Sequence, residues 1–233
     1  MNRGDLKNYS VVMCPGLKVS TLPSGVFDNM IQLAANDVAA RTLCLPKNQK
    51  FNAAAGTTGA GEYSLSTIDS EFIQIAAPGL YWNAGTVSTP DWKQLDGVTL
   101  KWLDENRRNW RNEEAGSPQV FYQDGDTLGI FPAPESALTN GLWLYYGLKA
   151  YTMTTDDQYP FYNTAQISRL SILDMPIALN FKMQSLGALD KKDDFNLIEK
   201  QYERKIVEVK GILATNRAVL NSVKNKFMGR KVR

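Results

Sequence analysis

Phe27, Ile31, Ala34 and Val38 recur at steps of three or four between Thr21 and Pro46, which puts them on one face of a helix. Ser24 is available to cap it and Pro46 to stop it. From about Phe51 to Tyr159 the period shortens. Runs of β-formers at Glu71–Ile75, Val98–Leu103, Val120–Tyr122 and Leu142–Tyr146 alternate with turn signals, a pattern that predicts a small antiparallel β-sandwich or barrel. Within it, Asp124-Gly125 supplies the residue pair a two-residue type I′ turn requires, and Pro132 and Pro134 end the following strand.

Beyond the β region the helical period returns. Asn163 or Thr164 opens a segment through about Leu186, with a kink at Pro176, and Gly187 and Asp190 make a break and a new cap. From about Lys191 to Phe227, Ile198, Tyr202, Ile206, Val209, Leu213, Leu220, Val223 and Phe227 follow mostly at three or four residues, with one polar gap at Asn216. The expected fold is α+β: a helical bundle built from both chain ends, with the β domain inserted between them. The segments are 1–50 for the arm and first helix, 51–160 for the inserted domain, 161–227 for the closing helices and 228–233 for a basic tail. Linkers are expected at Lys47–Gly61 and Tyr151–Asn163.

Composition narrows the chemistry. The chain has 233 residues and no histidine, so the commonest general base and the commonest metal ligand are both missing. Its two cysteines, Cys14 and Cys44, have no zinc spacing and no histidine to activate them. No metal, cofactor or catalytic residue is expected, nor a membrane span or signal peptide. Gly56–Gly61 lacks both the Lys-Ser/Thr pair and the glycine spacing of phosphate loops, and reads as a lead-in to a strand. Glu113-Glu114, Asp156-Asp157 and Asp193-Asp194 read as solvated or dipole-stabilising acids rather than catalytic pairs. Arg3-Gly4-Asp5 and the sequon at Asn8 are short enough to arise by chance. The five tryptophans all fall in the β region, where core and interface packing is the commoner use and a sugar-stacking platform the alternative.

The charge is polarised. Between Asn216 and Arg233 stand Arg217, Lys224, Lys226, Arg230, Lys231 and Arg233 with no acid, although the whole chain carries only +2. Such an end suits an acidic or nucleic-acid surface.

An ordered set of motifs adds a resemblance. Gly61-Glu-Tyr-Ser-Leu65, then Asn109-Trp-Arg111, Gly116-Ser-Pro118, Tyr122, Asp124-Gly125, Leu128–Pro134 and Leu144-Tyr-Tyr146 precede an acidic turn at Thr155–Asp157. From about Gly25 to Tyr202 the sequence resembles the tailed-bacteriophage head-to-tail connector (adaptor) proteins. The first twenty residues add nothing to the likeness. The resemblance implies a non-enzymatic virion protein, made in the host cytoplasm. It would form a ring, usually of twelve, between the portal protein and the tail or nozzle proteins, with genomic DNA passing through the lumen without sequence-specific binding. Lys224, Lys226, Phe227, Met228, Arg230, Lys231, Val232 and Arg233 are the expected partner-binding residues, the apolar ones filling pockets and the basic ones pairing at the rim. Two other classes stay open: a carbohydrate- or host-binding β module of a phage tail, and a nucleic-acid-binding protein using the basic C-terminus.

Overall fold

The computed structural model describes residues 2–13, 25–163, 166–167 and 192–228, with side chains of the last helix over 195–214. In chain order the elements are helices α1 (Arg3–Met13) and α2 (Val26–Thr42), strands β1 (Pro46–Ala53) and β2 (Gly61–Ser64), helix α3 (Leu65–Ile68), and strands β3 (Phe72–Asn83), β4 (Trp92–Gln94) and β5 (Asp96–Gly97). Helix α4 (Leu100–Asn106), a 3-10 turn at Trp110–Asn112, strands β6 (Val120–Asp124), β7 (Thr127–Phe131), β8 (Leu138–Leu148), β9 (Tyr162–Asn163) and β10 (Gln166–Ile167), and helix α5 (Lys192–Met228) complete the chain. The fold is α+β with predominantly antiparallel sheets. Two units divide it: Met1–Leu45 with Lys149–Arg233, and Pro46–Leu148.

In the first unit, α2 buries Ile31, Ala34, Ala35, Val38 and Ala39, the face its periodicity selects. Tyr202, Ile206, Val209 and Leu213 of α5 are buried at helical spacing. The Tyr202 hydroxyl donates to Asp37 of α2 at 2.5 Å, and Arg41 lies over the Tyr202 ring while pairing with Asp37 and Glu203. Among the described side chains, helix α1 buries Leu6 and is held by charge. Arg3 and Lys7 both reach Asp28 of α2 and Asp156 of the 155–157 turn. The first amides of α1, which no helical carbonyl can serve, donate to the carbonyls of Gln158 and Asp156.

The second unit contains two four-stranded sheets, ordered β1-β8-β3-β4 and β2-β7-β6-β5; the β5–β6 pair is parallel. Alternation along β8 sends Leu142, Leu144 and Tyr146 inward and Trp143 and Tyr145 outward. Leu103 of α4 and Trp110 of the 3-10 turn form a buried cluster with Tyr122 and Phe131 of the second sheet, the Trp110 ring edge-on to both aromatic rings.

Several expectations are corrected. Helix α2 begins after Gly25, in the left-handed region with no side-chain cap, and Ser24 lies outside the described residues. It ends at Thr42, where Leu43 turns left-handed (φ 50°) and donates to Ala39; Pro46 starts a strand instead of stopping the helix. The expected linker from Lys47 is strand β1 as far as Ala53. Val98–Leu103 is not a strand. Thr99 accepts the Trp102 amide as an N-cap, worth about 1 kcal/mol, and Leu103 is buried one turn later, so the helix forms. Ladder pairing of Asp124 with Thr127 makes Gly125 and Asp126 the central turn residues. Of those two only Gly125 has positive φ, the II′ pattern rather than I′. Asn163 opens no helix: β9 and β10 pair antiparallel, and the expected helix through Leu186, with Pro176, lies outside the described residues.

Candidate functional site

The polar clusters come first, because catalysis would have to live in one. Asp69, about one-tenth exposed, accepts Lys47 Nζ at 2.6 Å and the Tyr146 hydroxyl at 2.8 Å. Burial raises its carboxyl, but Lys47, the Glu71 amide and Tyr146 outweigh that and hold it below the usual range. Asp126 accepts from the Ser64 and Ser66 hydroxyls and the Ser66 amide, which lowers its carboxyl and ties the β6–β7 turn to α3. Asp104 is lowered by Trp110 Nε1 and Arg111. Asp156, one of the acids read as solvated, pairs with Lys7 and Arg3, and the Lys7 bond lowers it. Burial pushes the Cys44 thiol up to about 12, so it is an inert packed sulfur. Among these clusters each carboxylate is consumed by a structural donor, and none faces a second group poised to exchange a proton with a substrate.

The glycine-rich loop is structural too. The Gly56 amide donates to the Pro134 carbonyl and the Gly59 amide to Glu113, while Ala115 donates to Thr57. Gly59 has φ +69, and a Cβ there would stand 2.9 Å from the Arg111 carbonyl oxygen. Amides spent on the chain's own carbonyls cannot cradle a phosphate.

The motif residues behind the family resemblance turn out to be a folding core. Trp110, Tyr122 and Phe131 converge on one another, and Gly129 sits opposite Tyr122 in the ladder, where a Cβ would lie 2.0 Å from the ring. Tyr122 donates to Glu62, and burial, reinforced by that carboxylate, pushes its hydroxyl up to about 12.

What remains open to a partner is surface. On the outer face of the first sheet, Tyr81, Trp92, Trp143 and Tyr145 are half-buried against one another, with ring centroids 5.0–6.0 Å apart. Register explains the cluster: Lys50 and Tyr81 flank Trp143 directly across neighbouring strands. Lys50 Nζ lies 5.0 Å from the Trp92 centroid and 5.2 Å from that of Trp143. The rings meet at 39–63° and a lysine covers two of them, an arrangement built for mutual packing rather than a flat sugar platform. The other tryptophans divide between core (Trp82, Trp110) and solvent (Trp102). In the sequence this face showed only as tryptophan content and a run of β-formers at Leu142–Tyr146; its assembly from β1, β3, β4 and β8 needed the register.

The expected partner-binding residues lie beyond the described side chains. Lys224, Lys226, Phe227 and Met228 fall on the last turns of α5, their side chains beyond those described, and Arg230, Lys231, Val232 and Arg233 lie outside the described residues. Asp193 and Asp194 lie in the first turn of α5, again without described side chains. Among the described residues no group of three or more His, Cys, Asp or Glu side chains could hold a metal, and no helix is long and apolar enough to cross a membrane.

No curated protein matches the sequence. A family model, that of the SU10 adaptor protein, matches residues 2–194. The match takes in α1, which the motifs had left out, and stops at the start of α5, short of the basic end. Spanning most of the chain, it shows that the protein belongs to the SU10 adaptor protein family, a family of phage structural adaptors.

Proposed function

We propose that this chain is the head-to-tail adaptor of a tailed phage, set as a ring between the portal protein and the tail around the DNA channel. The family match over residues 2–194 carries the reading. A further observation supports it: the polar clusters described above serve the fold. In this reading α1, α2, the segment after Ile167 and α5 make a helical bundle from both chain ends, with the β domain inserted. At 1.5 Å per residue α5 is about 55 Å long, long enough in this reading for its far end to meet a neighbouring chain.

The C-terminal segment Lys224–Arg233 is the proposed portal anchor. Phe227, Met228 and Val232 would supply about 1.5–3 kcal/mol each on burial. Arg230, Lys231 and Arg233 would add roughly 0–1 kcal/mol each as exposed pairs, so they govern encounter rate and salt dependence more than affinity. Truncation after Lys226 tests this: the shortened chain should keep its fold by circular dichroism and lose co-sedimentation with portal. Unchanged co-sedimentation would move the anchor to the loops of the β domain.

A further inference from the structure

We propose that the outer edge of β1 is a strand-addition site for an extended, acidic segment of another protein of the particle; this rests on the adaptor reading. β1 is a strand of eight residues, about 27 Å at 3.4 Å each, and among the described residues it is an edge strand paired on one side only. Its register with β8 runs unbroken from Pro46 to Phe51 and shifts only between Phe51 and Ala53. On the side away from β8, no backbone hydrogen bond among the described residues reaches Lys47–Asn52. The second unit's other edge strands have two to four residues.

Long edges in native sheets are normally blunted by a bulge, an internal proline or lysines projecting into the pairing zone. Here the only proline is the first residue, the irregularity comes after Phe51, and both lysines are drawn over the sheet faces. Lys47 is held by Asp69, and Lys50 lies on the Trp92 and Trp143 rings. Among the described residues the edge is unpaired, and its ladder runs straight over its first six residues.

Charge selects the occupant. Pro46–Ala53 contains two lysines and no acid. A second copy's β1 would add two more lysines and no acid, directly opposed wherever Lys47 faces Lys50, and its β4 brings Lys93 on only three residues; like charges across a ladder are destabilising. A strand from a different chain, with acids beside Lys50 and an apolar residue beside Phe51, complements both. Its main chain would supply affinity and its alternate side chains specificity.

Amide hydrogen exchange over Lys47–Asn52, in the isolated full-length protein and in purified particles, reads the edge directly. Alternate amides should exchange freely in isolation and on the order of tenfold slower or more in the particle. Amides slow already in the isolated protein would mean that the chain's own residues or a second copy fill the edge, and amides still fast in the particle would mean nothing does; either overturns the proposal. A particle lacking the chain overturns the adaptor reading itself. Two variants, Asn48→Pro and Gln49→Pro, keep the test independent of folding. Each variant loses a side-chain acceptor, of Trp143 Nε1 at Asn48 and of the Tyr146 hydroxyl at Gln49, but adjacent strand amides point to opposite sides, so only one also breaks the β8 ladder and lowers Tm further while the other keeps the ladder and blocks the outer edge. The variant with the higher Tm of the two should still enter particles less than wild type; equal entry refutes strand addition. Lys50→Glu should likewise reduce entry, and unchanged entry would refute an acidic partner.

Discussion

Tyr146→Phe removes one oxygen from the second unit and leaves its shape intact. The ring is fully buried, and its hydroxyl donates to Asp69 at 2.8 Å with Gln49 alongside at 3.0 Å. A hydrogen bond to a charged acceptor is worth about 1.5–3 kcal/mol. Asp69 keeps Lys47 and the Glu71 amide, so the loss should sit near the low end, at ~2 kcal/mol. All five tryptophans lie in Pro46–Leu148, so fluorescence follows the unfolding of this unit alone. With a urea m-value of ~2 kcal/mol/M, the midpoint should fall by about 1 M near neutral pH. The pH dependence gives a second handle. Asp69 titrates below its ordinary range in the folded state, so its contribution is complete above the unfolded carboxyl value of about 3.9 and is lost as pH falls through the lower folded value. The gap between wild type and Tyr146→Phe should therefore narrow in that acid window, as a charged acceptor becomes a neutral one worth about 0.5–1.5 kcal/mol. A midpoint shift under about 0.3 M at neutral pH, or a gap that widens on acidification, would refute the network as described.

Other outcomes follow from the same contacts. Gly129→Ala should destabilise the second unit by about 1–3 kcal/mol in urea titration, because the new Cβ enters the Tyr122 ring. Tyr122 is protonated to about 12 when folded and 10.0 when not, so its contribution is complete below 10 and lost as pH rises towards 12; Tyr122→Phe should flatten that alkaline limb of the stability profile. Asp28→Ala leaves Arg3, about one-tenth exposed, with only Asp156 and the Met153 carbonyl among the described residues, so amides of α1 should exchange faster while those of α2 hold.

The elements that could be read from sequence bury a regular face. Helix α5 repeats its apolar positions over many turns and appears as Lys192–Met228, and β8 alternates cleanly across Leu142–Tyr146. The ones that escaped owe their form to distant partners. β1 carries mostly polar residues because it is an edge, so only its pairing with β8 marks it as a strand. Helix α1 has one fully buried apolar side chain among those described, Leu6, and is fixed by acids far along the chain, which no local window contains. Val98–Leu103 has strand-like composition, yet the Thr99 cap and the burial of Leu103 decide for helix. The aromatic face was legible only as tryptophan content: Trp92 reaches Trp143 across β3, and that neighbourhood exists only in the sheet.

Electron microscopy of purified particles, with this chain located in the density, tests the adaptor account most directly. The account predicts a closed ring at the head-to-tail junction, each copy touching its neighbours through two different faces, with the end of α5 against the portal. Copies in isolated positions without lateral contact, or particles complete without the chain, would contradict it.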